Sequence, residues 1–205
     1  MAYSDFSLEA IVQQQQLQVQ VRQVLFQDVT PVVPSDWLQE TLSVTEELGL
    51  FSGTEKARSE FIIAPILIEL ERRNRGRLMI FSGKSLDVDR SQGLNGECDF
   101  LLCKGETNRI VQAPILSVVE AKKQDLDLGI GQCVAQMVGA NLFNQRKGES
   151  IPTLYGCVTT AERWQFLTLT QDHLAIDRRV YNYPNELDQI LGILQFVLDR
   201  AWSLS

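Results

Sequence analysis

The stretch from Gly96 to Gln136 restricts the fold more than any other part of this chain. Gly96-Glu97-Cys98-Asp99 leads into the apolar run Phe100-Leu101-Leu102. A polar region follows, with Lys104, Gly105, Glu106, Asn108 and Arg109. The chain then returns as Ile115-Leu116-Ser117-Val118-Val119 and ends that run on Glu120-Ala121-Lys122-Lys123. Short apolar runs bounded by turn residues read as neighbouring strands of a hairpin. Side chains alternate along a strand, so Glu120 and Lys122 share one face and Ala121 points the other way. Asp99 reaches the same face if the register sets it opposite Glu120. Three charged groups would then meet at one rim of a hydrophobic sheet. Two plainer readings stay open from the residues alone: an exposed cross-strand pair for Glu120 and Lys122, and a turn-closing role for Asp99 after Gly96.

The flanking pattern supports a sheet covered by helices. Ser7 caps a helix to about Gln15. Residues 17–26 fit an alternating strand or a continued helix. Ser35-Asp36 starts a second helix, with Trp37, Leu38, Leu42 and Leu48 expected inside. Thr54-Glu55 starts a third, reaching Arg73, in which Pro65 removes one backbone bond and predicts a kink. Counting from Ala64 and Leu67 at helical spacing sets Glu60 on or beside the apolar stripe, facing inward; pairing with a basic residue at the rim is the alternative. Leu78-Met79-Ile80-Phe81 reads as a strand and 87–95 as a polar loop. Gly83-Lys84-Ser85 is not a P-loop, because the upstream glycine and the following helix are missing. A helix over 130–143 carries Gln132 and Gln136 one turn apart. Its small residues Gly131, Ala135, Gly139 and Ala140 predict close approach to the sheet, and its two glutamines also fit a solvated face. Residues 151–159 and 163–169 form a second hairpin, and 175–181 adds an edge strand. From Pro184 on, Leu187, Ile190, Leu191, Leu194, Val197, Leu198 and Trp202 recur at helical spacing, as on a helix laid over a sheet.

Composition removes several classes of function. A 205-residue chain with 44% hydrophobic and 22% charged residues is an ordinary globular domain, here expected as one unit with an N-terminal extension (1–53), a core (54–170) and a C-terminal strand and helix (171–205). No apolar run spans a bilayer, and the start of the chain lacks a secretion signal, so no membrane partner and a cytoplasmic location are the expectation. Cys98, Cys103, Cys133 and Cys157 form no C-x-x-C pair and read as buried thiols. The single histidine, His173, excludes the usual zinc sites and gives little scope for Ser-His or Cys-His catalysis. A net charge of −7 argues against strong non-specific attraction to nucleic acid.

The order of elements is helix with an acid, three strands, helix, then two strands. Asp99 sits on the second strand, Glu120-x-Lys122 on the third, and the glutamines on the next helix. Over Thr54 to Leu169 this resembles the core of the PD-(D/E)XK nuclease superfamily. The proline of that motif is replaced by Cys98. The resemblance implies an α/β, restriction-endonuclease-like fold (αβββαβ) with a central mixed sheet of about five strands. It implies a metal-dependent nuclease acting on DNA, with Mg²⁺ or Mn²⁺ held by Asp99, Glu120 and the backbone carbonyl of Ala121. Glu60 would bind the metal through water or a second ion. Lys122 would orient and activate the attacking water, as a neutral base or as a cation. Gln132 or Gln136 would contact the water or the scissile strand. A homodimer or a protein partner could supply further DNA contacts. The alternative is an inactive nuclease-fold module serving in binding or assembly.

Overall fold

The computed structural model describes residues 1–21, 23–106 and 108–203. Arg22, part of the stretch that fitted either strand or helix, lies outside the described residues. After a short 3₁₀ turn, the elements are α1 (Leu8–Gln15), β1 (Gln18–Gln20), α2 (Asp36–Phe51), α3 (Glu55–Arg58), a π-helical turn (Ser59–Ile63), α4 (Ala64–Arg73), β2 (Leu78–Ser85), β3 (Glu97–Lys104), β4 (Ile115–Ala121), α5 (Asp127–Arg146), β5 (Leu154–Thr159), β6 (Arg163–Thr170), β7 (His173–Ile176), β8 (Tyr181–Asn182) and α6 (Leu187–Trp202).

The strands form one mixed sheet in the order β1-β7-β6-β5-β4-β3-β2, with β8 added on β6. Eight strands replace the five expected. The surplus comes from β1, which the alternating Gln18-Val19-Gln20 forms parallel to β7, and from β7 and β8 beyond the second hairpin. His173 opens β7. β2, β3 and β4 run antiparallel, and β4 pairs parallel with β5. A parallel pair needs a crossover, and α5 supplies it.

Each sheet face carries its own core. Phe100, Leu102 and Val119 pack with Leu38, Leu42, Ile62, Ile66 and the α6 residues Ile190, Leu194 and Leu198. Leu101, Val118, Val158 and Leu167 pack with Ile11 and the α5 residues Ile130, Val134 and Met137. The helical pattern of α6 therefore does cover a sheet face. All four cysteines are buried and free, and among the described residues no helix is long and apolar enough to cross a membrane.

Three expectations need correction. Leu48 is 53% exposed, on an outer stripe of α2 with Val44 and Phe51. The small residues of α5 are used partly for another neighbour than the sheet. A Cβ on Gly131 would strike the Phe6 carbonyl, and one on Gly139 the Tyr3 hydroxyl, so the N-terminal segment lies along α5. The helix carrying Pro65 is not simply kinked. Ser59–Ile63 makes a π-turn whose end is marked by Ala64 N–H bonding Ser59 O, and Pro65 falls in the first turn of α4, where its missing donor costs little. The wider turn also shifts the helical phase of everything before Ala64.

Candidate active site

The site is built where two strands part. The β3–β4 ladder runs from Cys103↔Ile115 to Phe100↔Val119 and stops. Beyond it, the Asp99 carboxylate takes the place of a ladder carbonyl and accepts the Ala121 N–H at 2.7 Å. β4 stays attached to β5 on its other edge through Ala121↔Thr159, and Lys122 N–H donates to Thr159 O at 2.8 Å. Glu120 and Lys122 are thus held firmly by β5 while β3 peels away and leaves Asp99 facing them.

Glu120 is 1% exposed, and both its oxygens have donors. Lys122 Nζ reaches Oε1 at 2.5 Å, and Gln136 Nε2 donates to Oε2 at 2.7 Å. Lys122 Nζ also donates to Gln132 Oε1 at 3.2 Å. The two glutamines enter from one face of α5, as their spacing of four requires. Gly129 lets that helix begin close to the lysine: a Cβ there would lie 2.6 Å from Val158 Cγ1 and 2.9 Å from Lys122 Cγ. Gln136 is fully buried, and its Oε1 has no partner among the described residues. An unpaired buried amide oxygen is costly and marks a place where a donor belongs.

Charge is crowded here. Burial, and then the neighbouring Asp99, push the Glu120 carboxyl up to about 8. Burial also raises Asp99, against the pull of the Ala121 N–H, Lys122 and a hydrogen bond with Glu120. For Lys122, burial pulls downward, but the charge and hydrogen bond of Glu120, then Glu55 and Asp99, outweigh it and hold the amine above its ordinary value. Lys122 is therefore an ammonium among acids.

Glu60 is not part of this cluster. Its side chain is 56% exposed and lies 3.8 Å from Lys56. The inward position expected for it fails because the π-turn between it and Leu67 breaks the 3.6-residue count. The acid that this helix does bring to the site is Glu55, in the first turn after the Thr54 cap. Burial raises its carboxyl, Lys122 and the backbone N–H of Lys123 lower it, and Asp99 raises it. The capping signal at Thr54-Glu55 was visible in the sequence; its inward direction was not.

The donor chemistry suits a hard divalent cation in part. Two carboxylates, Asp99 and Glu120, with the Ala121 carbonyl beside them, are oxygen donors of the type Mg²⁺ takes together with retained waters. No group of three or more histidine, cysteine, aspartate or glutamate side chains stands in metal-holding proximity among the described residues. A resident ion would thus depend on those two acids, a backbone oxygen and water.

A depression of about 440 Å³, lined by Phe26, Tyr155, Phe196 and Arg200 among others, involves none of these residues. It lies toward the other end of β4 and β5, beside Leu116 and Tyr155. No protein-family model matches the chain, and no curated protein is significantly similar to it.

Proposed function

We propose that the chain is a metal-dependent nuclease of the PD-(D/E)XK superfamily, with a restriction-endonuclease-like core, hydrolysing phosphodiester bonds in DNA. The observation that carries this reading is the meeting of Asp99, Glu120 and Lys122 at the point where β3 leaves β4. A structural ion pair needs one acid and one base. Here the buried Glu120 and the half-buried Asp99 stand beside one lysine, and a bound cation would let both acids ionise together.

Asp99, Glu120 and the Ala121 carbonyl would hold Mg²⁺ or Mn²⁺. When bound, the ion would acidify a water and stabilise charge on the phosphate. Lys122, kept protonated by Glu120, donates to the attacking water or to a phosphate oxygen and stabilises the charge developing there. Gln136 fixes the Glu120 carboxylate through its amide N–H, and its free oxygen accepts from a water. Gln132 holds the lysine ammonium toward the same point. Glu55 adds negative charge near Lys122 and Asp99 and accepts from the Lys123 backbone N–H.

A second reading, an inactive module of the same fold, draws on the net charge of −7, which disfavours nucleic acid. One assay separates the two. The protein is incubated with labelled single- and double-stranded DNA in Mg²⁺ or Mn²⁺. Cleavage that disappears in Lys122→Ala is the expected result. An inert wild-type protein that also takes up no Mn²⁺ in calorimetry would leave only the module.

A further inference from the structure

Beside the candidate active site lies a groove of about 420 Å³ lined by Arg58, Lys123, Gln124, Thr160, Glu162 and Arg163, among others. We propose that it is a second phosphate subsite, which holds the backbone of a nucleic-acid strand next to the phosphate at Asp99 and Glu120. The inference rests on the nuclease reading and deepens it, by stating how an acidic protein would hold its substrate.

The groove holds cations that have no other task. The chain's basic residues are mostly engaged elsewhere. Arg72 stacks on Trp37 and Arg77 on Trp202, Arg73 pairs with Glu69, Arg146 with Asp89, and Arg179 with Glu186. Lys123 and Arg163 are exposed, and among the described residues neither side chain has a partner. Arg58 is different: its side chain is only 12% exposed. One nitrogen, Nη1, donates to the Thr160 carbonyl and to Glu162 Oε2, each at 2.7 Å, while the buried Nε has no acceptor among the described residues. A guanidinium presents a planar set of donors suited to phosphate oxygens. The groove therefore gathers three cations against one acid, and that acid is already paired with Arg58.

Position ties the groove to the site. Lys123 follows Lys122 directly, in the bend after β4, and lines the groove. Glu55 and Arg58 lie three apart on α3 and share a face. One short helix thus presents an acid to the candidate metal ligands and a base to the groove. Arg58 in turn clamps α3 to the β5–β6 turn at Thr160. The volume falls within the range of about 300–1,000 Å³ usual for small-ligand sites, and its donors are those expected of phosphate positioning rather than base reading.

The test uses full-length protein and fluorescein-labelled single- and double-stranded DNA in EDTA, with affinity read by anisotropy over a range of salt. Lys123→Ala/Arg163→Ala is expected to bind about tenfold or more weakly, with the slope of log affinity against log salt reduced by about two. Arg75→Ala/Lys147→Ala, which removes the same charge at the far ends of α4 and α5, should leave the slope close to wild type. Both double variants change exposed side chains, and circular dichroism checks that they fold. If wild type cleaves DNA but the groove variant keeps its affinity and slope, the subsite is wrong and the nuclease reading stands. If wild type neither binds nor cleaves any DNA, both fall.

Discussion

Two glutamates of this protein are equally buried, each beside one basic residue, and they behave in opposite ways. Glu69 on α4 is 1% exposed, as is Glu120. Glu69 accepts from Ser35 N at 3.1 Å, Ser35 Oγ at 2.7 Å and Arg73 Nε at 2.8 Å. Arg73 also reaches the Val33 carbonyl. Burial acts to raise the Glu69 carboxyl, yet the Ser35 and Arg73 hydrogen bonds win and hold it below its ordinary value. Glu120 has a lysine and a glutamine as donors but also Asp99 against it, and it rises to about 8. The Glu69 cluster balances its charge and fastens the start of α2 to α4. The Glu120 cluster does not, because a second acid has been put where a structural site would have put a donor. Burying charge costs free energy, and leaving it unbalanced costs more. Such an arrangement is expected where charge must meet a ligand rather than merely hold elements together.

Substitutions can break or sharpen this contrast. The largest effect is expected for Glu120→Gln, which keeps shape and removes charge: cleavage should fall by about three orders of magnitude. The variant should also lack a pH dependence of stability that wild type has. From its ordinary 4.5 to about 8 the folded protein holds the Glu120 proton more tightly than the unfolded chain does, so wild type loses stability as pH rises through that window. The loss is on the order of 3 kcal/mol by pH 7, and the variant should lack it. Denaturant midpoints of the two proteins between pH 5 and 8 measure this; parallel curves would show that Glu120 is as well balanced as Glu69.

Glu69→Ala should do the reverse. It leaves Arg73 and Ser35 without their partner and should cost about 3 kcal/mol of stability, while cleavage by the folded fraction stays near wild type. The Glu69 contribution is complete above its ordinary 4.5 and is lost as pH falls through its lower folded value. Urea unfolding at pH 7 and at pH 3 checks both statements, and a penalty of equal size at the two pH values would contradict them.

The smallest effect separates the two acids of the helix before the sheet. Glu55→Gln should lower the cleavage rate about tenfold, a loss of about 1.4 kcal/mol in transition-state stabilisation. Glu60→Gln should change it by less than about twofold. Equal rates in the two variants would remove Glu55 from the site.

Much of this site was legible along the chain. Glu120, Lys122 and Asp99 were marked by charges at the ends of apolar strands, and Gln132 and Gln136 by their spacing on one helix. These are local features, and period-two and period-3.6 patterns report local features well. Glu55 was hidden for the opposite reason. A π-turn inserts one residue into a helical count, and nothing in Ser59-Glu60-Phe61-Ile62-Ile63 announces it. The groove was equally invisible, since Arg58, Lys123 and Arg163 come from three separate segments.

By itself, then, the sequence determined which residue types stand at the strand ends, which helix faces are apolar, and that a sheet covered by helices must form, because each of these follows from side-chain order along a single element. Only the tertiary structure decided that β3 and β4 part at Phe100↔Val119, that Asp99 caps Ala121 instead of closing a turn, and that α3 brings Glu55 rather than Glu60 inward. Those outcomes depend on how strand register, helix phase and a crossover between β4 and β5 combine in space, and no periodicity within one element carries that information.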